Sequence, residues 1–171
     1  MASAGFVLLV FAMAIAPGLL APFDFDRQDI LMRNEAPMTP AKEGGIPHIL
    51  GTDALGRDVL SRLISSARIS LAVGLASVVV SGVLGTALGL VAGYYRGRVD
   101  DVVMRAVDVQ MGFPSLLLAL VILYAAGSGF LNVVLVLAIT RWMVYARVTR
   151  GLVLSLRSAP FVEAARAIGC T

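Results

Sequence analysis

The side chains in this sequence that could do chemistry are few and poorly grouped. The single histidine, His48, lies in a proline-rich stretch, and Asp100 with Asp101 form an adjacent carboxylate pair. An acid–base dyad needs carboxyls whose surroundings push their pKa values apart in a cleft. Asp100 and Asp101 are instead interleaved with Val99, Val102, Val103, Ala106 and Val107, the pattern of a solvated helix face. One cysteine, Cys170, cannot close an internal disulfide, and no His/Cys cluster has metal-ligand spacing. Lys42, the only lysine, is followed by Glu43, so no GxxxxGK[ST] phosphate loop can be drawn. The expectation is a chain with no catalytic residue, no metal and no cofactor.

The tail offers recognition rather than catalysis. Residues 160–169 read PFVEAARAIG. Pro160 suits a helix's first turn, the alanines favour its interior and Gly169 suits its stop. Isolated helices shorter than about 12 residues are marginal in water, so this one needs a surface to dock on. Its alanines keep the profile low enough for a partner's cleft to enclose it, with Glu163 and Arg166 available for polar contacts. An ordinary juxtamembrane helix fits the same residues.

The elements that must position this tail are set by composition. Of 171 residues, 58% are hydrophobic and only 14 are basic and 11 acidic; the mean hydropathy is +0.88. A soluble domain of this size lacks the interior to hide so much apolar surface. The charges are segregated, being absent from residues 1–23, 69–95 and 109–140. Such runs are membrane spans. The net charge of +3 is carried by single arginines at the ends of apolar runs, which suits lipid head groups and not nucleic acid.

The expected fold is an all-α polytopic membrane protein. Residues 1–20 are expected to form the first span; a secretory signal peptide is the alternative, with Ala12, Ala14 and Ala16 near a cleavage site but no Lys or Arg ahead of the apolar core. Residues 21–68 are an external loop, irregular through Pro22, Pro37, Pro40 and Pro47, ending in an amphipathic helix from Arg57. The second span, 69–93, places Ser77, Ser81, Gly85, Gly89 and Gly93 at successive i+4 steps, a stripe on which two helix backbones can approach closely. Residues 94–112 are a connecting surface helix supported by an Asp101–Arg105 pair. The uncharged run 109–140 would make about 48 Å of helix against a hydrocarbon core of roughly 30 Å. It is therefore divided at Gly127, Ser128 and Gly129 into a third span, 113–126, and a fourth, 130–148. The fourth contains Arg141, expected to face a polar interior, with snorkelling as the alternative. The loop 21–68 has net charge −1, the connection 94–112 is neutral and residues 141–171 carry +4, so the tail is placed in the cytoplasm and the long loop outside.

Three stretches together carry a resemblance. EAARAIG at 163–169 resembles the EAAxxxG signature of permease subunits of bacterial ABC importers. HILGTDALGRDVLSRL at 48–63 and GYYRGRVDDVVMRAVDVQMGFPSLLL at 93–118 are similar to the C-type subunit of the dipeptide, oligopeptide and nickel branch. The resemblance implies a six-span permease fold, of which four spans are visible, in the bacterial inner membrane. It implies a second permease subunit, cytoplasmic ABC ATPase subunits that hydrolyse the ATP, an extracytoplasmic solute-binding protein and transport by alternating access. It also implies that Glu163, Ala164, Ala165 and Gly169 are the ATPase-coupling residues of region 149–171. Members of that family continue past this signature with a His, a LeuPro pair and two further spans, so the chain is expected to be truncated. Ile49 stands where the family often has Pro, and the basic extension before the first span is absent.

A different class of protein, a small polytopic anchor or assembly factor that transports nothing, also explains the spans and the small-residue stripe. It leaves EAARAIG and GTDALGRD without a reason to be present.

Overall fold

A computed structural model describes residues 2–42, 45–127 and 129–169. Among them the regular structure is helical: α1 (Ala2–Ile15), α2 (Pro17–Leu20), a 3-10 turn (Ile30–Met32), α3 (Val59–Tyr95), α4 (Gly97–Met111), α5 (Ser115–Ala126), α6 (Phe130–Arg157) and α7 (Pro160–Ala167). The all-α polytopic architecture is therefore present. Two helices, α3 and α6, are long and apolar enough to cross a membrane, and α4 with α5 form a pair bent by 88°. Alone, the 14 residues of α1 and 12 of α5 reach only about 21 and 18 Å. Ser128 and Cys170 lie outside the described residues.

The chain divides into two compact units, residues 1–72 and 73–171. In the first, the proline-rich stretch is irregular yet tightly hydrogen-bonded. Asp53 folds the GTDALGRD segment around its carboxylate: Oδ1 accepts from the backbone N–H of Leu55 (2.8 Å) and Arg57 (3.0 Å). Its Oδ2 accepts from the Arg57 Nε (2.9 Å) and the Arg62 Nη1 (2.5 Å). Burial opposes ionisation of Asp53, but these N–H groups and the Arg57 charge outweigh it and lower the pKa to about 2. Asp58 is buried and caps α3, accepting from the Ser61 N–H at 2.7 Å. Its other oxygen meets the His48 Nδ1 at 2.9 Å, and the His48 ring stacks on Phe23 with centroids 4.5 Å apart. The Phe23 N–H closes the circuit on the Ser61 Oγ, 3.1 Å away.

Two boundaries differ from expectation. The amphipathic segment is not a separate element: α3 runs unbroken from Val59 to Tyr95. Nothing between Arg57 and Val73 breaks a helix, so the change from amphipathic to apolar alters what the helix faces and not its backbone. Likewise α6 continues past Val148 to Arg157, tolerating Gly151 and stopping ahead of Pro160.

In the second unit α6 is the hub. Its core contact is with α4, where buried Val107 meets Met143 and Ala146, flanked by Met104 and Trp142. The connection 94–112 is thus a largely exposed helix that packs one face on α6. The Asp101–Arg105 pair is not among the ion pairs of the described residues; Asp100 and Asp108 reach α6 instead. Arg141 is exposed on α6. The turn into α6 forms at Gly127, whose φ of +87° glycine tolerates, and Asn132 Nδ2 donates to the carbonyls of Ala126 (2.6 Å) and Gly127 (3.1 Å).

Candidate functional site

The tail helix forms where the residue types permit. Pro160 occupies the first turn of α7 after extended Ala159, whose carbonyl accepts from Val162 N–H (2.9 Å) and Glu163 N–H (3.1 Å). The helix ends with the Ile168 N–H on the Ala164 carbonyl (3.2 Å), and Gly169 then takes a φ of +89°. Glu163 falls in the first turn and Arg166 in the last, each complementing the helix dipole.

Of the four residues singled out here, Glu163, Ala164 and Gly169 are exposed and Ala165 is half-buried. Within the second unit α7 packs on α6. Phe161 is 67% exposed and Ile168 81%, so the helix and the residue that caps its end present two large apolar side chains and a carboxylate to their surroundings. An element this short is marginal on its own and leans on α6.

The base that carries α7 is built from α3, α4 and α6. Gly85, Gly89 and Gly93 of the small-residue stripe lie against α6. A Cβ at Gly85 would run into the Trp142 carbonyl and lie 2.7 Å from the Tyr145 Cβ. One at Gly89 would sit 2.5 Å from the Ala146 carbonyl oxygen, and one at Gly93 2.7 Å from the Val153 Cβ. Ser77 and Ser81 are buried, and each hydroxyl donates to the carbonyl four residues back (2.6 Å in both cases). At the foot of the pair, Arg157 donates to the Tyr94 carbonyl and lies 5.6 Å from the centre of its ring.

Along α4, polar contacts run to α6 in antiparallel order. Gln110 accepts from the Trp142 Nε1 (2.7 Å) and donates to the Ile139 carbonyl. Asp108 pairs with Arg147 at 2.5 Å. Asp100 takes both arms of the Arg150 fork, Nε to Oδ1 at 2.5 Å and Nη2 to Oδ2 at 2.6 Å.

Sequence reasoning missed these partners, as it missed the His48–Asp58–Ser61 circuit. For Asp58 a signal was available, an Asp immediately ahead of the apolar-periodic Val59 and Leu60. For Asp100 and Arg150, 50 residues apart, there was none.

The family of binding-protein-dependent transport system inner membrane components matches residues 85–171, which include the stripe glycines, α4, α6 and α7. The chain is 42% identical over 165 residues to the glutathione transport system permease protein GsiD of Pectobacterium atrosepticum, covering 96% of this chain and 52% of the relative. It is 41% identical over 165 residues to the di/tripeptide transport system permease protein DppC of Pseudomonas aeruginosa, covering 95% and 53% respectively. It is 39% identical over 175 residues to GsiD of Escherichia coli O6:K15:H31, covering 100% and 54%. The chain thus spans about half the length of the curated relatives it matches.

Proposed function

Since the chain belongs to the family of binding-protein-dependent transport system inner membrane components, we propose that it is a permease subunit of an ATP-driven importer for short peptides, of the glutathione or di- and tripeptide class. The observation that carries the proposal is α7: an EAARAIG helix, exposed at Glu163, Ala164 and Gly169, at the end of a long apolar helix. The substrate class rests on the names of relatives about 40% identical over nearly the whole chain.

In this reading the tail lies in the cytoplasm and α7 seats in a cleft of an ABC ATPase subunit. Glu163 supplies a polar contact, the alanines let the cleft close around the helix and Gly169 lets the chain turn away. A second permease subunit completes the pathway, and a solute-binding protein delivers peptide from outside. ATP-driven closure of the ATPase pair pushes α7, and α6 swings the pathway between outward and inward openings. Transport is coupled because peptide binds the two states with different affinity.

The test is Glu163→Lys in the natural full-length protein, expressed with its partners. Uptake and co-purification of the ATPase subunits are expected to be lost while membrane insertion is kept. Normal uptake by that variant rejects the assignment.

A further inference from the structure

If α7 is where force enters, the elements that move with it are those clamped to α6. The apolar contact between α4 and α6 is small, three buried side chains with two flanking ones. Against that small core stand the Asp100–Arg150 fork, the Asp108–Arg147 pair and the Gln110–Trp142 bond. The fork is the most protected of the ion pairs between these helices: the Asp100 side chain is 13% exposed and that of Arg150 32%, against 67% and 49% for Asp108 and Arg147. A two-pronged, partly desolvated arginine–carboxylate pair fixes orientation as well as distance, which a single solvent-screened contact does not. It lies toward the α7 end of α6, beyond the Val107–Met143 cluster, and α4 passes through the 88° bend directly into α5.

We propose that Asp100 and Arg150 are positioning residues of energy coupling: their fork locks α4 to α6, so that displacement of α7 reaches the α4–α5 bend as a rigid-body movement. This rests on the importer reading and goes beyond it by naming the joint through which the push is transmitted. The two side chains meet each other across the α4–α6 contact, and each acts on the placement of α4. With the fork open, α6 moves and α4 lags. ATP is then hydrolysed without a matching opening of the pathway.

The experiment uses the natural full-length protein reconstituted with its partner permease, ATPase subunits and binding protein. Wild type, Asp100→Asn, Arg150→Lys and the exchange Asp100→Arg with Arg150→Asp are compared for retention of ATPase subunits and for peptide taken up per ATP hydrolysed. Spin labels at Val102→Cys and Val148→Cys, both positions exposed, in a Cys170→Ser background report the α4–α6 distance. Asp100→Asn is expected to retain the ATPase subunits, lower uptake per ATP about tenfold, within the range known for residues that carry coupling, and broaden the distance distribution. Arg150→Lys, which keeps the charge without the fork, falls between that variant and wild type, and the charge exchange recovers most of the loss. Unchanged uptake per ATP in Asp100→Asn overturns the proposal, as does an equal loss in all three variants with an unchanged distance distribution. Failure of the wild type to retain ATPase subunits instead sinks the importer reading and the proposal with it; the distance measurement alone still decides whether the fork holds α4.

Discussion

Gly89 of α3 faces Ala146 of α6 so closely that a Cβ on Gly89 would lie 2.5 Å from the Ala146 carbonyl oxygen. The obstruction is backbone, which cannot swing aside as the end of a long side chain can. Gly85 stands in the same relation to the Trp142 carbonyl, while a Cβ on Gly93 would meet the Val153 side chain, so the helices meet along about two turns of glycine spacing. Attraction between apolar helices in lipid depends on such close packing, because lipid supplies no hydrophobic drive for association.

Gly85→Ala and Gly89→Ala are accordingly expected to lower the stability of the detergent-solubilised protein by about 1–3 kcal/mol each, the usual cost of overpacking. Gly82→Ala, whose Cβ would meet only the Tyr145 Cε1 at 4.0 Å, and Gly74→Ala, which would meet nothing within 4 Å, serve as controls. Both should be neutral or slightly stabilising through helix propensity. Thermal unfolding of the four variants decides; equal effects at all four sites would remove the packing explanation.

Gly56 makes a different demand. Its φ is +72°, and a Cβ there would strike the Asp29 carbonyl, with the carbonyl carbon 2.5 Å away. Gly56→Ala should therefore loosen the loop around Asp53 while leaving the helices in place. Limited proteolysis should show cleavage between residues 29 and 58 in this variant under conditions where wild type is resistant. Gly18, with no positive φ and nothing within 4 Å, should tolerate the same change with a far smaller effect.

What could be read in the sequence follows the range of the interactions. The i+4 spacing of Ser77 to Gly93 is visible within one segment, and so were a close-packing face and the short Pro160–Gly169 helix with its stop. What the stripe packs against, Trp142 to Val153, lies some 60 residues on and leaves no trace at that spacing. The same limit explains the acids of α4. Within one helix the spacing offers Asp101 the partner Arg105, whereas folding brings Arg150 to Asp100 and Arg147 to Asp108. The long loop was legible as irregular from its prolines, but irregular did not mean loose: its order comes from Asp53, Asp58 and His48, each acting across several turns of chain.

Asp58 holds the first turn of α3 from a buried position, its carboxylate shared between the Ser61 N–H and the His48 ring. Removing it leaves the α3 N-terminus without its side-chain acceptor. Asp58→Ala should cost about 0.5–2 kcal/mol, as loss of an N-cap does. Amide hydrogen exchange by mass spectrometry should show the loss of protection confined to the first turns of α3 and the residues around His48, with α6 unchanged. Asp58→Asn keeps an acceptor for Ser61 and should recover part of the protection. If protection fell evenly over the whole chain, Asp58 would be a core residue and not a local cap.

Asp53 sets the acid limit of the same loop. Its folded pKa of about 2 lies below its ordinary value of 3.8, because the N–H groups of Arg57 and Leu55 and the Arg57 charge favour the carboxylate more than burial disfavours it. A depressed carboxylate contributes stability that is fully present above its unfolded pKa and is lost as pH falls through the folded one. The loop should therefore keep its fold at neutral pH and loosen between about pH 4 and pH 2. Asp53→Asn retains an acceptor but not the charge. It should be less stable than wild type at pH 7, and the difference should shrink as wild type is protonated across that window. Proteolytic resistance of residues 29–58 after brief acid exposure, compared between the two proteins, measures this. A gap between them that stays constant from pH 7 to pH 2 would mean that the Asp53 charge is not what holds Arg57 and Arg62 in place.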